Sequence, residues 1–128
     1  MVSKKKILSV DDSAIIRKII RSSVEVLSFE LLEASDGKEA ISILSKQWED
    51  VKLILLDWNM PGMNGYEFLG LVKKEVLYRS IPVMMVTSEG EKDSIVKAVQ
   101  AGVSNYLLKP FTTEELTKKI IQCIGRDF

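Results

Sequence analysis

A chain of 128 residues, 46% hydrophobic and 28% charged, carries enough apolar material for one packed core and too little length for two ordinary domains. Eighteen basic side chains balance eighteen acidic ones, so no global field gathers nucleic acid or an anionic membrane, and proteins or small ligands are the expected partners. With no histidine and a single cysteine, Cys123, neither an internal disulfide nor a zinc site can be built.

The opening MVSKKKILSVDDS starts basic, but ILSV is too short for the apolar stretch of an export signal. No run approaches the ~20 apolar residues that cross a bilayer, so a cytoplasmic location is expected. Residues 6–10 read as a first strand. A helix follows, with Ile15, Ile16, Ile19, Ile20, Val24 and Leu27 at helical spacing. A second strand is expected at 29–33, then a helix opened by an Asp36/Glu39 capping box and striped by Ala40, Ile41, Leu44 and Trp48. The third strand, 52–56, lacks polar alternation, as befits a strand covered on both faces. Leu69, Val72 and Val76 mark the third helix. A strand at 82–86 leads to a fourth helix with Ile95, Ala98 and Val99, which ends at Gly102. The last strand, 104–108, precedes a helix carrying Leu116, Ile120 and Ile124. Thr112 and Glu115 form its capping box, and Phe111 with Leu116 its hydrophobic staple. Cys123 falls in that pattern and reads as a small core residue.

Strands separated by single helices run parallel, because each crossover returns the chain to the same end of the sheet in the right-handed sense. The fold class is therefore α/β, a three-layer doubly wound (βα)5 sandwich. No repeat, low-complexity segment or linker divides it, so residues 1–128 are expected to form a single domain with no output domain appended.

In an open parallel sheet, ligands bind beyond the carboxyl ends of the strands. The first strand delivers Asp11 and Asp12 there, the third Asp57, the fourth Thr87 and Ser88, and the fifth Lys109 with Pro110. Aspartates converging on one rim repel: two unit charges ~4 Å apart cost about 4 kcal/mol at an effective dielectric of ~20. A cation belongs between them, and hard carboxylate oxygens open to water suit Mg²⁺ or Mn²⁺. Lys109 adds a second cation and Thr87 a hydroxyl, which together make a receptacle for a dianion of the kind phosphoryl transfer needs. Asp57 remains as the nucleophile, able to form an aspartyl phosphate. The run VKLILLDWNMPGMNG then makes sense: its strand fixes the nucleophile, and its turn offers a backbone carbonyl, that of Asn59, to the metal. Plainer readings exist for each residue alone. Asp12 or Thr87 could cap a helix, Asp57 could start a turn, and Lys109 could sit on the surface. Their joint arrival at one rim decides against them.

The combination of Asp11-Asp12, Asp57 with Met60-Pro61 and Gly65, Thr87, and Lys109-Pro110-Phe111 resembles the receiver domain of two-component response regulators over essentially the whole chain. Asp57-Trp58-Asn59-Met60-Pro61 together with Tyr106 is particularly similar to the stand-alone chemotaxis members. This resemblance, and not periodicity, implies the flavodoxin-like strand order 2-1-3-4-5 and a cis Lys109–Pro110 peptide. It implies that Asp57 accepts phosphate from a phosphohistidine of a sensor histidine kinase, or from a small donor such as acetyl phosphate. Asp12 and Asp57 would bind Mg²⁺ directly with the Asn59 carbonyl, and Asp11 through water. Lys109 would pair with the phosphoryl group and Thr87 would bond one of its oxygens, drawing Tyr106 inward as a switch. Asn59 and Glu89, two residues beyond Asp57 and Thr87, would tune phosphate loss. The output would be docking of a target protein on the face made by the fourth helix, fifth strand and fifth helix, with Lys92, Ile95, Tyr106 and Lys119 as contacts. A monomer is expected before phosphorylation, with self-directed chemistry in place of enzymatic turnover. Two other classes fit less well. An aspartyl phosphohydrolase wants a general acid where Asn59 stands, and a flavin binder wants phosphate-cradling amides where Asp11 and Asp12 stand.

Overall fold

The computed structural model describes residues 5–58, 60, 62–88 and 92–125. In chain order they form β1 (Lys6–Val10), α1 (Ala14–Val26), β2 (Glu30–Ala34), α2 (Gly37–Gln47), β3 (Val51–Leu56), α3 (Gly65–Lys74), β4 (Val83–Thr87), α4 (Lys92–Ala101), β5 (Asn105–Leu108) and α5 (Thr113–Ile124). Every expected strand lies within one residue of an observed one. The five strands pair in parallel in the order β2-β1-β3-β4-β5, as the family resemblance implied. β3 is the middle strand, and the absence of polar alternation in its sequence corresponds to burial on both sides.

Side chains alternate across the sheet, so each strand feeds two cores. Leu8, Val10, Ile54, Leu56, Val83 and Met85 pack with Leu44, Phe68, Leu69, Val72 and Ala98 of α2, α3 and α4. Ile7, Leu53, Leu55, Met84, Val86 and Leu107 pack on the other side with Ile20 and Val24 of α1 and Leu116 and Ile120 of α5. Cys123 lies partly buried against this second core; burial pushes its thiol pKa up, and Lys119 pulls it partly back. It borders the core in which its setting placed it.

Helix ends follow local chemistry. Thr112 and Glu115 exchange hydrogen bonds as a full capping box, and Phe111 and Leu116 are buried together beside it. The Asp36/Glu39 box forms by half. Asp36 accepts from the Glu39 backbone N–H, but the Glu39 carboxylate accepts instead from the Ser35 hydroxyl. A third box, Asn64 with Glu67, escaped the sequence reading although the N-x-x-E spacing is visible there. Gly102 closes α4 with φ +112°, its N–H reaching the Ala98 and Val99 carbonyls.

Three members of the apolar stripes turn out exposed. Ile15 and Val99 lie on outward faces of α1 and α4, and Val76 lies beyond the end of α3 at Lys74. Each sits at helical spacing from core residues, but a helix on an open sheet buries a stripe narrower than its apolar sequence.

One buried group stands against the pattern. The Ser9 hydroxyl, fully buried in mid-β1, finds no hydrogen-bond partner among the described residues. Its desolvation is uncompensated, which costs on the order of 1–3 kcal/mol. Ser9→Ala is therefore expected to raise the unfolding free energy by about 1 kcal/mol, read as a later urea midpoint at unchanged slope. A midpoint at or below that of the parent would show that the hydroxyl is satisfied.

Candidate functional site

The carboxyl ends of β1, β3, β4 and β5 meet on one rim. Asp11 follows β1, its N–H bonded to the Ala34 carbonyl at the end of β2, and Asp57 follows β3, its N–H bonded to the Val10 carbonyl. Thr87 is the last residue of β4, fully buried and paired with Leu108 of β5. Lys109 donates its backbone N–H to the Thr87 carbonyl at 2.9 Å, and the peptide that follows, Lys109–Pro110, is cis. The bond to Thr87 places the lysine over the rim.

The side chains converge accordingly. Carboxylate oxygens of Asp11, Asp12 and Asp57 lie within 4.8 Å of one another. Asp11 and Asp57 are 2% and 6% exposed, so little water screens them. Two charges at ~4.8 Å repel by about 3–4 kcal/mol at an effective dielectric of ~20. Lys109 answers this: its Nζ donates to Asp11 Oδ2 at 2.9 Å and lies 3.6 Å from Asp57 Oδ2. Asp11 is further held by the Ser13 backbone N–H on its Oδ1 at 2.8 Å. Asp12 stands exposed at the mouth. It does not cap α1, since Ser13 takes that position and accepts from Ile16 N–H.

The turn beyond Asp57 is built around a missing side chain. A Cβ on Gly65 would lie 2.8 Å from Trp58 Cα and 2.9 Å from the Asp57 carbonyl oxygen, both backbone atoms that cannot swing aside. Gly65 N–H bonds the Trp58 carbonyl at 3.0 Å, and Asn64 caps the helix beginning there. α3 is thereby pressed against the base of the loop carrying Asp57. Trp58, nearly buried, meets Tyr66 edge to face with centroids 6.0 Å apart.

The remaining sequence candidates are dispersed. Tyr106 on β5 is 37% exposed and faces outward. Lys119 of α5 lies beside it, and both Lys119 and Ile95 are half-buried, while Lys92 is exposed. Asn59 and Glu89, the expected tuning positions, and with Asn59 the expected carbonyl ligand, lie outside the described residues. Lys109, which the resemblance pairs with the phosphoryl group, here bonds Asp11 and approaches Asp57, a contact with no signature in the sequence.

Three hard carboxylates on a rim, one of them open to solvent, match the oxygen-donor preference of Mg²⁺, which takes one or two protein carboxylates and keeps its other positions for water and phosphate. No histidine or second thiol is present to favour a softer ion.

Comparison with known proteins defines the class. Residues 7–121 match the response regulator receiver domain family, and the chain belongs to it. Within that family its likeness runs to chemotaxis regulators. It is 45% identical over 121 residues to the chemotaxis protein CheY homolog of Campylobacter jejuni, covering 94% of this chain and 92% of that protein. The structure of the Vibrio cholerae chemotaxis protein CheY4 superposes with a TM-score of 0.87 at 31% identity, covering 94% of this chain and 99% of the other. The receiver domain of the Pseudomonas aeruginosa sensor histidine kinase PA1611, at 25% identity and TM-score 0.84 over 97% of this chain and 100% of that one, holds a magnesium ion in its active site cleft. The chain is thus a CheY-like receiver, of a family whose general function is phosphotransfer signalling with Mg²⁺ in the acidic pocket.

Lys109→Met removes the ammonium and leaves two buried carboxylates facing each other. An unfolding free energy lower by about 2–4 kcal/mol in metal-free urea titration is expected. Equal midpoints for variant and parent would mean that the cluster relieves its repulsion without the lysine.

Proposed function

We propose that this chain is a response regulator receiver whose switch is phosphorylation of Asp57. The observation that carries the reading is the placement of that carboxylate. It is fixed at the end of the central strand, nearly buried, 3.6 Å from the Lys109 ammonium and within the Asp11–Asp12 cluster. A carboxylate so held is oriented for in-line attack while the charge that builds around it is answered by a neighbouring cation.

In the proposed step an Asp57 oxygen attacks the phosphorus of a phosphohistidine on a sensor histidine kinase. The P–N bond breaks and its electron pair stays on that imidazole nitrogen, and the ring, already protonated on its other nitrogen, leaves as neutral imidazole. With acetyl phosphate as donor the P–O bond breaks and acetate leaves. Asp12 and Asp57 would hold Mg²⁺, with Asp11 through water and the Asn59 carbonyl completing the set. When bound, the ion neutralises charge on the phosphoryl oxygens. Lys109 exchanges its bond to Asp11 for one to the incoming phosphoryl group, and Thr87, at the end of β4, donates its hydroxyl to another oxygen. Asn59 and Glu89, as the positions two residues beyond Asp57 and Thr87, tune how fast the phosphate is lost.

Phosphorylation adds about −1.5 to −2 charges at one point, enough to bias a two-state element. That element is Thr87 with Tyr106, and its output is a docking face on α4, β5 and α5 in which Lys92, Ile95, Tyr106 and Lys119 meet a target protein. Resemblance to chemotaxis proteins supports a place in chemotaxis. The unphosphorylated chain works as a monomer and has no direct nucleic-acid or membrane partner. No helix among the described residues is long and apolar enough to cross a membrane.

Incubation with acetyl phosphate and Mg²⁺ should add the mass of one phosphoryl group to the parent and none to Asp57→Asn. Chelation with EDTA should abolish the gain. Equal labelling of parent and variant would place the acceptor elsewhere.

A further inference from the structure

Tyr106 lies on β5, the edge strand of the sheet, and pairs with Met85 of β4. An edge tyrosine has two places to lie: folded in over the end of β4, or out toward solvent. Here it is 37% exposed, and a cation of the neighbouring helix lies beside it. The Lys119 ammonium of α5 stands 5.7 Å from the centre of the Tyr106 ring. The same ammonium donates to Asn105 Oδ1 at 3.3 Å, and that oxygen also accepts the Tyr106 backbone N–H at 2.8 Å. The Asn105 amide in turn donates to Gln122 Oε1 at 3.1 Å, one turn further along α5. One carboxamide thus orders the cation, the backbone beneath the ring and the helix opposite.

The lysine is aimed by its surroundings. Lys119 is half-buried and sits immediately before Ile120, which is fully buried against the sheet, so the helix face that anchors α5 also sets where the lysine stem leaves. Its charge arrives already directed, and the attraction of ring for cation is gained with little loss of side-chain freedom. Moving the ring inward forfeits that attraction.

We propose that Lys119, oriented by Asn105, is a positioning residue that holds Tyr106 outward and so sets the resting bias of the switch. The inference rests on the reading of Tyr106 as the switch residue. Neutralising Lys119 frees the ring, and a cation–π contact at a half-exposed site corresponds to a change in the inward population of about two- to fivefold. Arginine, which also stacks on aromatic faces, preserves the hold.

The test is cross-relaxation between the Tyr106 ring protons and the Thr87 methyl, which strengthens as the ring folds in over the end of β4, measured on unphosphorylated protein labelled at tyrosine and threonine. Lys119→Met is expected to raise the signal about two- to fivefold over the parent. Asn105→Ala should move it in the same direction, and Lys119→Arg should leave it at the parent level. No rise in either of the first two variants, or an equal rise in Lys119→Arg, overturns the proposal. Acetyl phosphate labelling of the same samples, read by intact mass, is a separate arm. A parent that takes no phosphoryl group overturns the Asp57 reading, whereas a labelled parent with an unmoved Tyr106 in the variants overturns the role of Lys119 alone.

Discussion

A single ammonium between two nearly buried carboxylates organises this molecule. Asp11 and Asp57 are held in place by backbone hydrogen bonds to neighbouring strands, so neither can retreat from the other. Lys109 lies between them and belongs to the opposite side of the sheet, separated from β1 by β3 and β4. The charge balance of the rim is therefore a property of the whole sheet, because β3 and β4 set how far Lys109 lies from β1, and losing its placement would leave like charges facing each other in a poorly screened place. An acidic rim balanced by one mobile cation is also a rim ready to accept a different balance, and a divalent ion with a dianion is the natural replacement.

The fold contributes rigidity where that exchange would happen. β3 is covered on both faces, and the turn after it is closed by α3 pressed against bare backbone at Gly65. The Asn64 cap and the Trp58–Tyr66 contact tie the same turn from two further directions. By contrast β5 is an edge with one strand neighbour, and Lys119 of α5 lies beside its tyrosine. Under the proposed function, stiffness at the reacting end and latitude at this edge are what a switch requires.

Much of this could be read from the sequence because the signals are local. β-branched and aliphatic runs separated by helical stripes gave all five strands to within a residue, and Thr112 with Glu115 announced the last helix. The rim residues were legible for a related reason: in a parallel sheet every strand end lies on the same side, so Asp11, Asp57, Thr87 and Lys109 had to come together once the strands were placed. Strand order was not legible this way. Which strand lies next to which is settled by long-range packing, and it came from family resemblance. Ile15, Val76 and Val99 misled because spacing tells which residues share a face and not where that face stops. The Asp36 box failed in part because Ser35, an adjacent hydroxyl, competes for the Glu39 carboxylate. The arrangement of Asn105, Lys119 and Gln122 around Tyr106 had no signature at all, since it joins a strand edge to a helix through side chains with ordinary spacing.

The bond from Lys109 to Asp11 spans 98 positions of the 128-residue chain. Contacts between segments so far apart form late, because the entropy of closing the intervening loop must be met first. During synthesis from the amino terminus, all three aspartates emerge long before the lysine that neutralises them. The cation that balances the acidic pocket thus comes with the last strand of the sheet, so the pocket is complete only when β5 has docked on β4.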